Sequence, residues 1–258
     1  MIILIYTAVI FAATTLGAIS GLGGGVVIKP LFDMVGFHTM SEIGFYSSVA
    51  VFTMSIVSIF KQMKNGFGFH IKVIFWISFG SLIGGLVGES IFNKFANLYE
   101  NGTVKTVQAG MLGLTLVCIL IYTFNKSKIK SYRMKNIFSI FIAGFFLGTV
   151  SVFLGIGGGP LNVALLMFLF SYTMKEATVY SIATIFFAQI SKLGSVIFSN
   201  KIHSYNLFFI PFICISAVAG GFIGTMINQK LDSGKIEKFY IALITALLFV
   251  SLYNVFTG

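Results

Sequence analysis

The chain has 258 residues, of which 57% are hydrophobic and only 9% are charged, and its mean hydropathy is +0.98. No soluble domain of this length could bury so much apolar surface, so the composition excludes a water-soluble enzyme or binding module. The formal net charge of +10 does not indicate a nucleic-acid partner, because the basic residues lie in short loops between apolar runs. We therefore predict an all-α, multi-pass protein of a bacterial-type inner cell membrane, with one integral domain over residues 1–258 in contact with the lipid bilayer.

Apolar segments follow one another along the whole chain. Eight of the ten are long enough, at roughly 17–22 residues, to cross a bilayer as ordinary helices. The second and seventh each offer only about 12 helical residues, or ~18 Å, but an extended glycine run of about five residues could add ~16 Å. Each could then cross a hydrocarbon core of about 30 Å. The ten predicted segments are 2–19, 22–37, 42–60, 71–92, 103–124, 137–153, 157–170, 177–197, 207–227 and 236–256.

Two nearly identical glycine runs stand at the start of the short segments. The first break is Gly21-Leu-Gly-Gly-Gly25, and the second break is Gly155-Ile-Gly-Gly-Gly159. In lipid, non-helical backbone is tolerated only where it is buried in protein or lines a watery cavity, because each bare amide costs several kcal/mol. The two breaks therefore predict a single site to which each half of the chain contributes one equivalent glycine run. The alternative is that these glycines only permit close helix packing.

The two halves of the chain repeat each other. An offset of 134 residues aligns the breaks and four further pairs, and an offset of 136 aligns two later glycine motifs. Each half also begins a long helix with a capping box, in which Thr and Glu side chains satisfy helix amides. The sequence thus predicts a first repeat over 1–125, a basic cytoplasmic linker over 126–136 and a second repeat over 137–258. The aligned residues are Met40, Glu42, Ser47 and Phe52 with Met174, Glu176, Ser181 and Phe186, then Gly84, Gly85 and Gly88 with Gly220, Gly221 and Gly224.

A further glycine pattern has a spacing of four residues. Small residues at this spacing share one face of a helix and let a neighbouring backbone approach closely, so they predict packing rather than a site. These ridges consist of Gly80, Gly84 and Gly88 in the first repeat and Ser216, Gly220 and Gly224 in the second.

The distribution of Lys and Arg predicts how the repeats lie in the membrane. If the short segments cross, twelve basic loop residues lie on the side of the linker and three on the other side; if they re-enter, the division is nine to six. The positive-inside rule favours crossing. Five crossings per repeat is an odd number, so the prediction is an inverted repeat with both termini outside. Re-entrant short segments are the alternative.

Inverted repeats with broken helices are typical of secondary transporters, which bind substrate near the membrane midplane where the repeats meet. The half-helices that start near Val26 and Pro160 each direct unsatisfied amides and a positive dipole end toward that level, which suits an anion. Neutral side chains in the apolar runs could donate to its oxygens, although hydrogen bonds between helices would explain them as well. The candidate substrate-binding residues are Gly23, Gly24, Gly25, Gly157, Gly158, Gly159, Asn162, Lys29, Ser47, Ser181 and Gln189.

Charged residues inside the apolar runs are candidate functional groups, because they are costly to place in a membrane. Lys29 could supply a fixed positive charge for an anion, or it could be neutralised by Asp33, four residues further along the same helix face. Lys192 follows a stripe of small and polar residues that could line a pathway, or its ammonium could snorkel to the nearby membrane surface. Asp33 and Lys192 are the candidates for coupling transport to an ion gradient.

The glycine motifs resemble those of a known family. Gly-x-Gly-Gly-Gly near the N-terminus, followed by Pro30-Leu31, returns as Gly155-Ile-Gly-Gly-Gly-Pro160-Leu-Asn162, and the pair resembles the sulfite exporter TauE/SafE family of membrane transporters. The resemblance covers essentially the whole chain. It implies movement, usually export, of small sulfur-containing anions such as sulfite or organosulfonates. The two copies differ in where proline follows the glycines.

Two other functional classes stay open. One is a passive anion channel, which should show conductance without coupling, and the other is an intramembrane enzyme that handles thiols. The enzyme is disfavoured because no His lies within a membrane segment and Cys118 and Cys214 are unpaired. No phosphate-binding loop motif occurs, so coupling would come from an H+ or Na+ gradient or from a partner. The His residues show no metal-ligand spacing, so we expect neither a metal nor a cofactor; the oligomeric state stays open.

Overall fold

The computed structural model describes residues 2–68, 70–126, 128–154 and 159–257; the side chain of Asp33 lies outside the described part. Within these ranges the chain is helical and contains no strand, which confirms the predicted all-α class. Its ten α-helices correspond in order to the ten predicted segments, and two short 3-10 helices, Lys201–Ser204 and Leu207–Phe209, precede the ninth. The α-helices are α1 (Ile2–Ser20), α2 (Gly25–Val35), α3 (Met40–Lys64), α4 (Ile71–Leu98), α5 (Asn101–Asn125), α6 (Ile137–Phe153), α7 (Gly159–Phe170), α8 (Met174–Phe198), α9 (Ile210–Lys230) and α10 (Ser233–Thr257).

Two capping boxes begin α3 and α8, as predicted. The Thr39 amide donates to Glu42 Oε2 at 2.9 Å, and the Thr173 amide donates to Glu176 Oε2 at 2.8 Å. In return, each Glu amide donates to the Thr hydroxyl at 3.3 Å. The apolar runs predict starts at 42 and 177, which is too late, because the cap rather than the first apolar residue begins each helix.

Helix length separates the spanning helices from the short ones. Seven described helices, α1, α3, α4, α5, α8, α9 and α10, are long and apolar enough to cross a membrane. The sequence predicts eight because it counts α6, which has 17 residues and is shorter than these. The two half-helices, α2 and α7, have 11 and 12 residues. At ~18 Å or less, each extends only partway through a hydrocarbon core by itself.

The two halves interlock through the predicted glycine ridges. The fourth helix of each repeat packs along the first helix of the other, α4 on α6 and α9 on α1. A Cβ at Gly84 would collide with the Phe145 carbonyl, and one at Gly220 would collide with the Thr14 hydroxyl. This confirms the packing role of the ridges.

Equivalent helices α3 and α8 run in opposite directions. They cross where the Phe52 and Phe186 rings stack with centroids 5.3 Å apart, and these residues occupy equivalent positions of the predicted repeats. Gly44, near the start of α3, faces Lys192, near the end of α8. The orientation of the repeats in the membrane stays a prediction.

The half-helix α2 returns along α1 to the end at which α1 begins. Gly24, just before α2, lies beside Ala13, in the middle of α1. Near the end of α2, the Phe32 ring stacks on Tyr6 with centroids 4.2 Å apart. Tyr6 also lies 5.5 Å from the ring of His38, which precedes α3. α1 and α3 therefore start at the same end of the molecule.

Candidate functional site at the two glycine breaks

The first break is a tight left-handed turn. Gly21, Gly23 and Gly24 have φ angles of 76°, 80° and 76°, a region that residues with side chains rarely adopt. A Cβ at Gly24 would also lie 3.0 Å from the Ala13 carbonyl oxygen, so the turn packs directly against α1. The prediction of an extended run is therefore wrong for this break. Residues with positive φ make the backbone compact, and α2 begins at Gly25, level with the middle of α1.

The second break is described only from Gly159, where α7 begins. The candidates Gly157 and Gly158 lie outside the described residues. A Cβ at Gly159 would collide with the backbone of Leu22, which lies in the first break. The two breaks therefore touch, and this contact brings the starts of α2 and α7 together.

The starts of α2 and α7 lie in apolar surroundings. The first amides of a helix have no acceptor within it, and its N-terminus carries about half a positive charge. The first break sits on the crossing of α3 and α8, where a Cβ at Gly23 would be 2.9 Å from Ile185 and 3.5 Å from Val51. Two neighbouring helix N-termini in a low-dielectric setting are suited to an anion.

The candidate serines are buried at equivalent places on α3 and α8. Ser181 Oγ donates to the Gly21 carbonyl at 2.7 Å. A hydroxyl has one hydrogen, so in this conformation Ser181 holds the first break in place and does not donate to an anion. Ser47, which is 2% exposed, is its counterpart, and the counterpart of Gly21 is Gly155, outside the described residues.

Two candidate amides are buried with polar atoms that have no hydrogen-bond partner among the described residues. Asn162, in the first turn of α7, is 1% exposed, and among the described residues neither its Nδ2 nor its Oδ1 has a hydrogen-bond partner. Gln189 on α8 is likewise buried, with its Oε1 unpartnered. Buried amides in folded proteins are normally satisfied, and leaving one unpaired costs about 1–3 kcal/mol. Hydrogen bonds between helices therefore do not explain Asn162, whereas a polar ligand beside the start of α7 would.

Lys29 reaches from α2 to the entrance of the second break. Its buried ammonium donates to Gln108 Oε1 on α5 and to the Leu154 carbonyl, just past α6, at 3.1 Å. Gln108 Nε2 donates in turn to the Phe153 carbonyl at 2.6 Å. The positive charge thus lies at the negative end of α6, where a helix stabilises a cation. Whether Asp33 also neutralises Lys29 stays a prediction, because that side chain lies outside the described part.

Lys192 points into the protein rather than toward the membrane surface. It is 6% exposed, and its Nζ lies 3.1 Å from where a Cβ of Gly44 would be. Snorkelling therefore does not describe this side chain. Electrostatic attraction reaches it from Glu89 on α4, which is also buried.

Sequence reasoning does not single out Gln108 or Glu89. Each is a polar residue inside an apolar helix, and that pattern is the signal by which both could be found. The described residues contain no group of three or more His, Cys, Asp or Glu side chains that could hold a metal ion.

Comparison with known protein families identifies the family of this chain. The profile of the family described as Sulfite exporter TauE/SafE matches residues 6–252. The chain belongs to the TauE/SafE family. With seven apolar spans among its described helices, it is a multi-pass membrane transporter of the cell membrane.

Three individual relatives are similar to this chain, and two of them are named as probable membrane transporters. A protein of Methanocaldococcus jannaschii named "Probable membrane transporter protein MJ0441" is 28% identical over 236 residues, covering 86% of this chain and 85% of the relative. "Probable membrane transporter protein YunE" of Bacillus subtilis is 29% identical over 243 residues, covering 86% of each. A protein of Sulfurisphaera tokodaii named "Undecaprenyl-diphosphatase" is 23% identical over 218 residues, covering 82% of this chain and 79% of the relative. No solved structure is similar enough to count as a match.

Proposed function

We propose that this TauE/SafE protein is a secondary transporter that exports small sulfur-containing anions such as sulfite or organosulfonates. The observation that carries the proposal is the contact of Gly159 with Leu22, which brings two helix N-termini to one place in an apolar interior. Oxyanions are bound well by such N-termini, because amide donors and the helix dipole act together. Glycine at the first break lets the backbone adopt the left-handed turn that starts α2 at this place.

Side chains complete the proposed anion site. The unpartnered amide of Asn162 lies in the first turn of α7 and can donate two hydrogen bonds to sulfonate or sulfite oxygens. Gln189 is a second amide donor on α8, and Lys29 supplies a positive charge at the entrance of the second break. In this arrangement Ser181 positions the first break, and Ser47 is the equivalent residue on α3.

The proposed orientation is an inverted repeat with both termini outside and the basic linker in the cytoplasm. It is supported by the opposite directions of α3 and α8 and by the return of α2 to the starting end of α1. Single cysteines at Tyr99, Ser131, Thr173 and Gly234 in a Cys-free background should label from outside, inside, inside and inside. Outside labelling at Thr173 and Gly234 would instead establish re-entrant short segments.

Transport is proposed to be driven by an ion gradient, with H+ or Na+ as the coupling ion and Asp33 and Lys192 as candidate residues. The test is transport by purified protein in proteoliposomes, comparing sulfite, thiosulfate, sulfate and an alkyl sulfonate under imposed H+ and Na+ gradients. Gradient-driven accumulation of a sulfur anion is the expected result. Conductance without accumulation would identify a passive channel instead. Release of phosphate from undecaprenyl diphosphate would indicate the activity named for one relative.

A further inference from the structure

At two pairs of equivalent positions the two halves differ in charge. Thr225 Oγ1 on α9 donates to Ser58 Oγ on α3 at 2.8 Å, and both residues are 0% exposed. The repeat offsets of 134 and 136 place Lys192 of α8 opposite Ser58 and Glu89 of α4 opposite Thr225. A neutral hydroxyl pair between α3 and α9 therefore corresponds to oppositely charged residues on α4 and α8, at the equivalent contact between the two repeats.

Both charged residues are buried and incompletely paired. Glu89 and Lys192 are each 6% exposed. Glu89 Oε1 accepts from Asn93 Nδ2 at 3.3 Å, while among the described residues Oε2 has no partner. The Lys192 ammonium lies beside Gly44, and a side chain there would displace it. Because buried charges are costly in a membrane protein, this pair marks a function that the hydroxyl pair does not have.

A polar chain leads from Glu89 toward the surface. Asn93, which donates to Glu89, also accepts from Lys201 Nζ at 3.2 Å, and Lys201 is exposed. No titratable residue occurs on α6, which packs along α4. Among the described residues of other elements, Lys192 on α8 and Tyr205 between the 3-10 helices are the charged or titratable groups that interact electrostatically with Glu89.

We propose that Glu89 is the proton-binding site that couples anion movement to a proton gradient, with Lys192 as its buried counter-charge. This inference rests on the proposed transport function. A proton joins the carboxylate to give a neutral acid, and Lys192 is then a positive charge without its counter-charge. The protein interior gains one positive charge, so binding a proton and binding an anion favour each other. Loss of the proton restores the balanced pair and lowers anion affinity.

The site favours a proton over a sodium ion for two physical reasons. The Lys192 ammonium repels a metal cation from Glu89, because like charges in a low-dielectric setting interact strongly. A sodium ion also requires several oxygen ligands, whereas a proton requires a single carboxylate oxygen. The unpartnered Oε2 of Glu89 is such an oxygen.

Infrared titration tests proton binding without transport. Protein in lipid nanodiscs should show a protonated-carboxyl band that is missing in Glu89→Gln. Glu42→Gln, which removes a helix-capping carboxylate, is the matched control and should retain the band. If no such band depends on Glu89, the proposal is overturned, whatever the anion assays show.

A double variant tests coupling while avoiding an isolated buried charge. Glu89→Thr combined with Lys192→Ser copies the hydroxyl pair that packs between α3 and α9. In proteoliposomes at saturating sulfite or alkyl sulfonate, where a lower affinity has little effect on rate, counterflow at equal pH should stay within about twofold of wild type, while accumulation driven by a pH gradient should fall at least about tenfold. The alkyl sulfonate stays ionised at every pH used. It therefore carries no proton across the membrane itself, unlike sulfite. Accumulation that survives in the double variant, or that follows only a sodium gradient, overturns the proposal.

The two assays also separate this inference from the proposed function. If wild-type protein moves no sulfur anion, the proposed function fails, but the infrared titration still decides whether Glu89 binds a proton. If anions exchange normally and no Glu89 band titrates, the proposed function stands and the coupling site is wrong.

Discussion

The two breaks are equivalent in sequence, but different groups hold the helix ends that precede them. At the first break, the Ile19 carbonyl accepts from Asn228 Nδ2, a neutral amide of α9, at 2.7 Å. The equivalent carbonyl at the second break belongs to Phe153 and accepts from Gln108 Nε2 at 2.6 Å. Gln108 also binds the ammonium of Lys29. One helix end is closed by neutral groups, and the other by groups that include a buried positive charge.

This difference shows how a repeated fold can carry unequal chemistry. Glycines and capping boxes recur at constant offsets, so both halves build the same backbone. The buried charges do not recur, since the position equivalent to Lys29 is Val163 and the position equivalent to Lys192 is Ser58. The repeat thus provides a symmetric frame, and single substitutions place ionic groups in one copy. Mutations at the two breaks should therefore have different consequences.

The largest effect is expected at Lys29. Lys29→Met keeps much of the side-chain length but removes the charge, so sulfite transport in proteoliposomes should fall roughly a thousandfold, or ~4 kcal/mol, if the charge faces the anion. Lys94→Met, at an exposed lysine, should transport normally. If Lys29 is only neutralised by Asp33, adding Asp33→Asn should restore most of the activity. The charge of Lys29 would then not distinguish the function of the second break from that of the first.

The glycine ridges should respond equally in the two halves, unlike the breaks. Gly84→Ala and Gly220→Ala each force a methyl group into a neighbouring helix, so each should lower the free energy of unfolding by about 3 kcal/mol. Gly110→Ala on α5 is the control; a Cβ there meets nothing within 4 Å, and it should stabilise the helix by about 1 kcal/mol. Denaturation in detergent measures all three. A loss of stability in only one ridge variant would contradict the shared packing frame.

Two buried asparagines should differ in whether they contribute to the stability of the protein or to anion binding. Asn228 is fully engaged at the first break, so Asn228→Leu should lower the free energy of unfolding by about 2 kcal/mol. Asn162 has no described partner, so Asn162→Leu should leave stability unchanged or raise it, while anion affinity falls roughly tenfold or more. Thermal unfolding with and without sulfite measures both effects. Equal loss of stability in the two variants would show that Asn162 is structural.

The smallest effect is expected at the serines. Ser181→Ala removes one hydrogen bond to the Gly21 carbonyl and should cost about 1 kcal/mol of stability. Ser47→Ala, at the equivalent position, should cost about the same if Ser47 holds the second break in the same way. Denaturation of the two variants against wild type checks this. A Ser47→Ala protein that keeps its stability but loses anion binding would make Ser47 a ligand instead.

The membrane class, the order of the ten helices and the packing ridges could all be predicted from the amino-acid sequence. These features follow from local patterns: apolar runs, capping boxes and glycines spaced four residues apart act within one helix or its immediate neighbour. The same reasoning failed for the shape of the first break, because successive glycines are equally compatible with extended chain and left-handed turns. Packing against Ala13 of α1 selects the turn.

Which polar groups contact each other depends on the packing of the helices. Lys29 and Gln108 are separated by 79 residues, and the sequence offered Asp33 as the nearer partner for Lys29. Glu89 and Lys192 lie on different helices and enter one electrostatic neighbourhood only because α4 packs along α8. Side-chain partners depend on how helices cross, and no spacing along the chain specifies that. The repeat therefore predicts the backbone of the site. Where the charges of the site lie depends on how the helices of one repeat pack against the helices of the other.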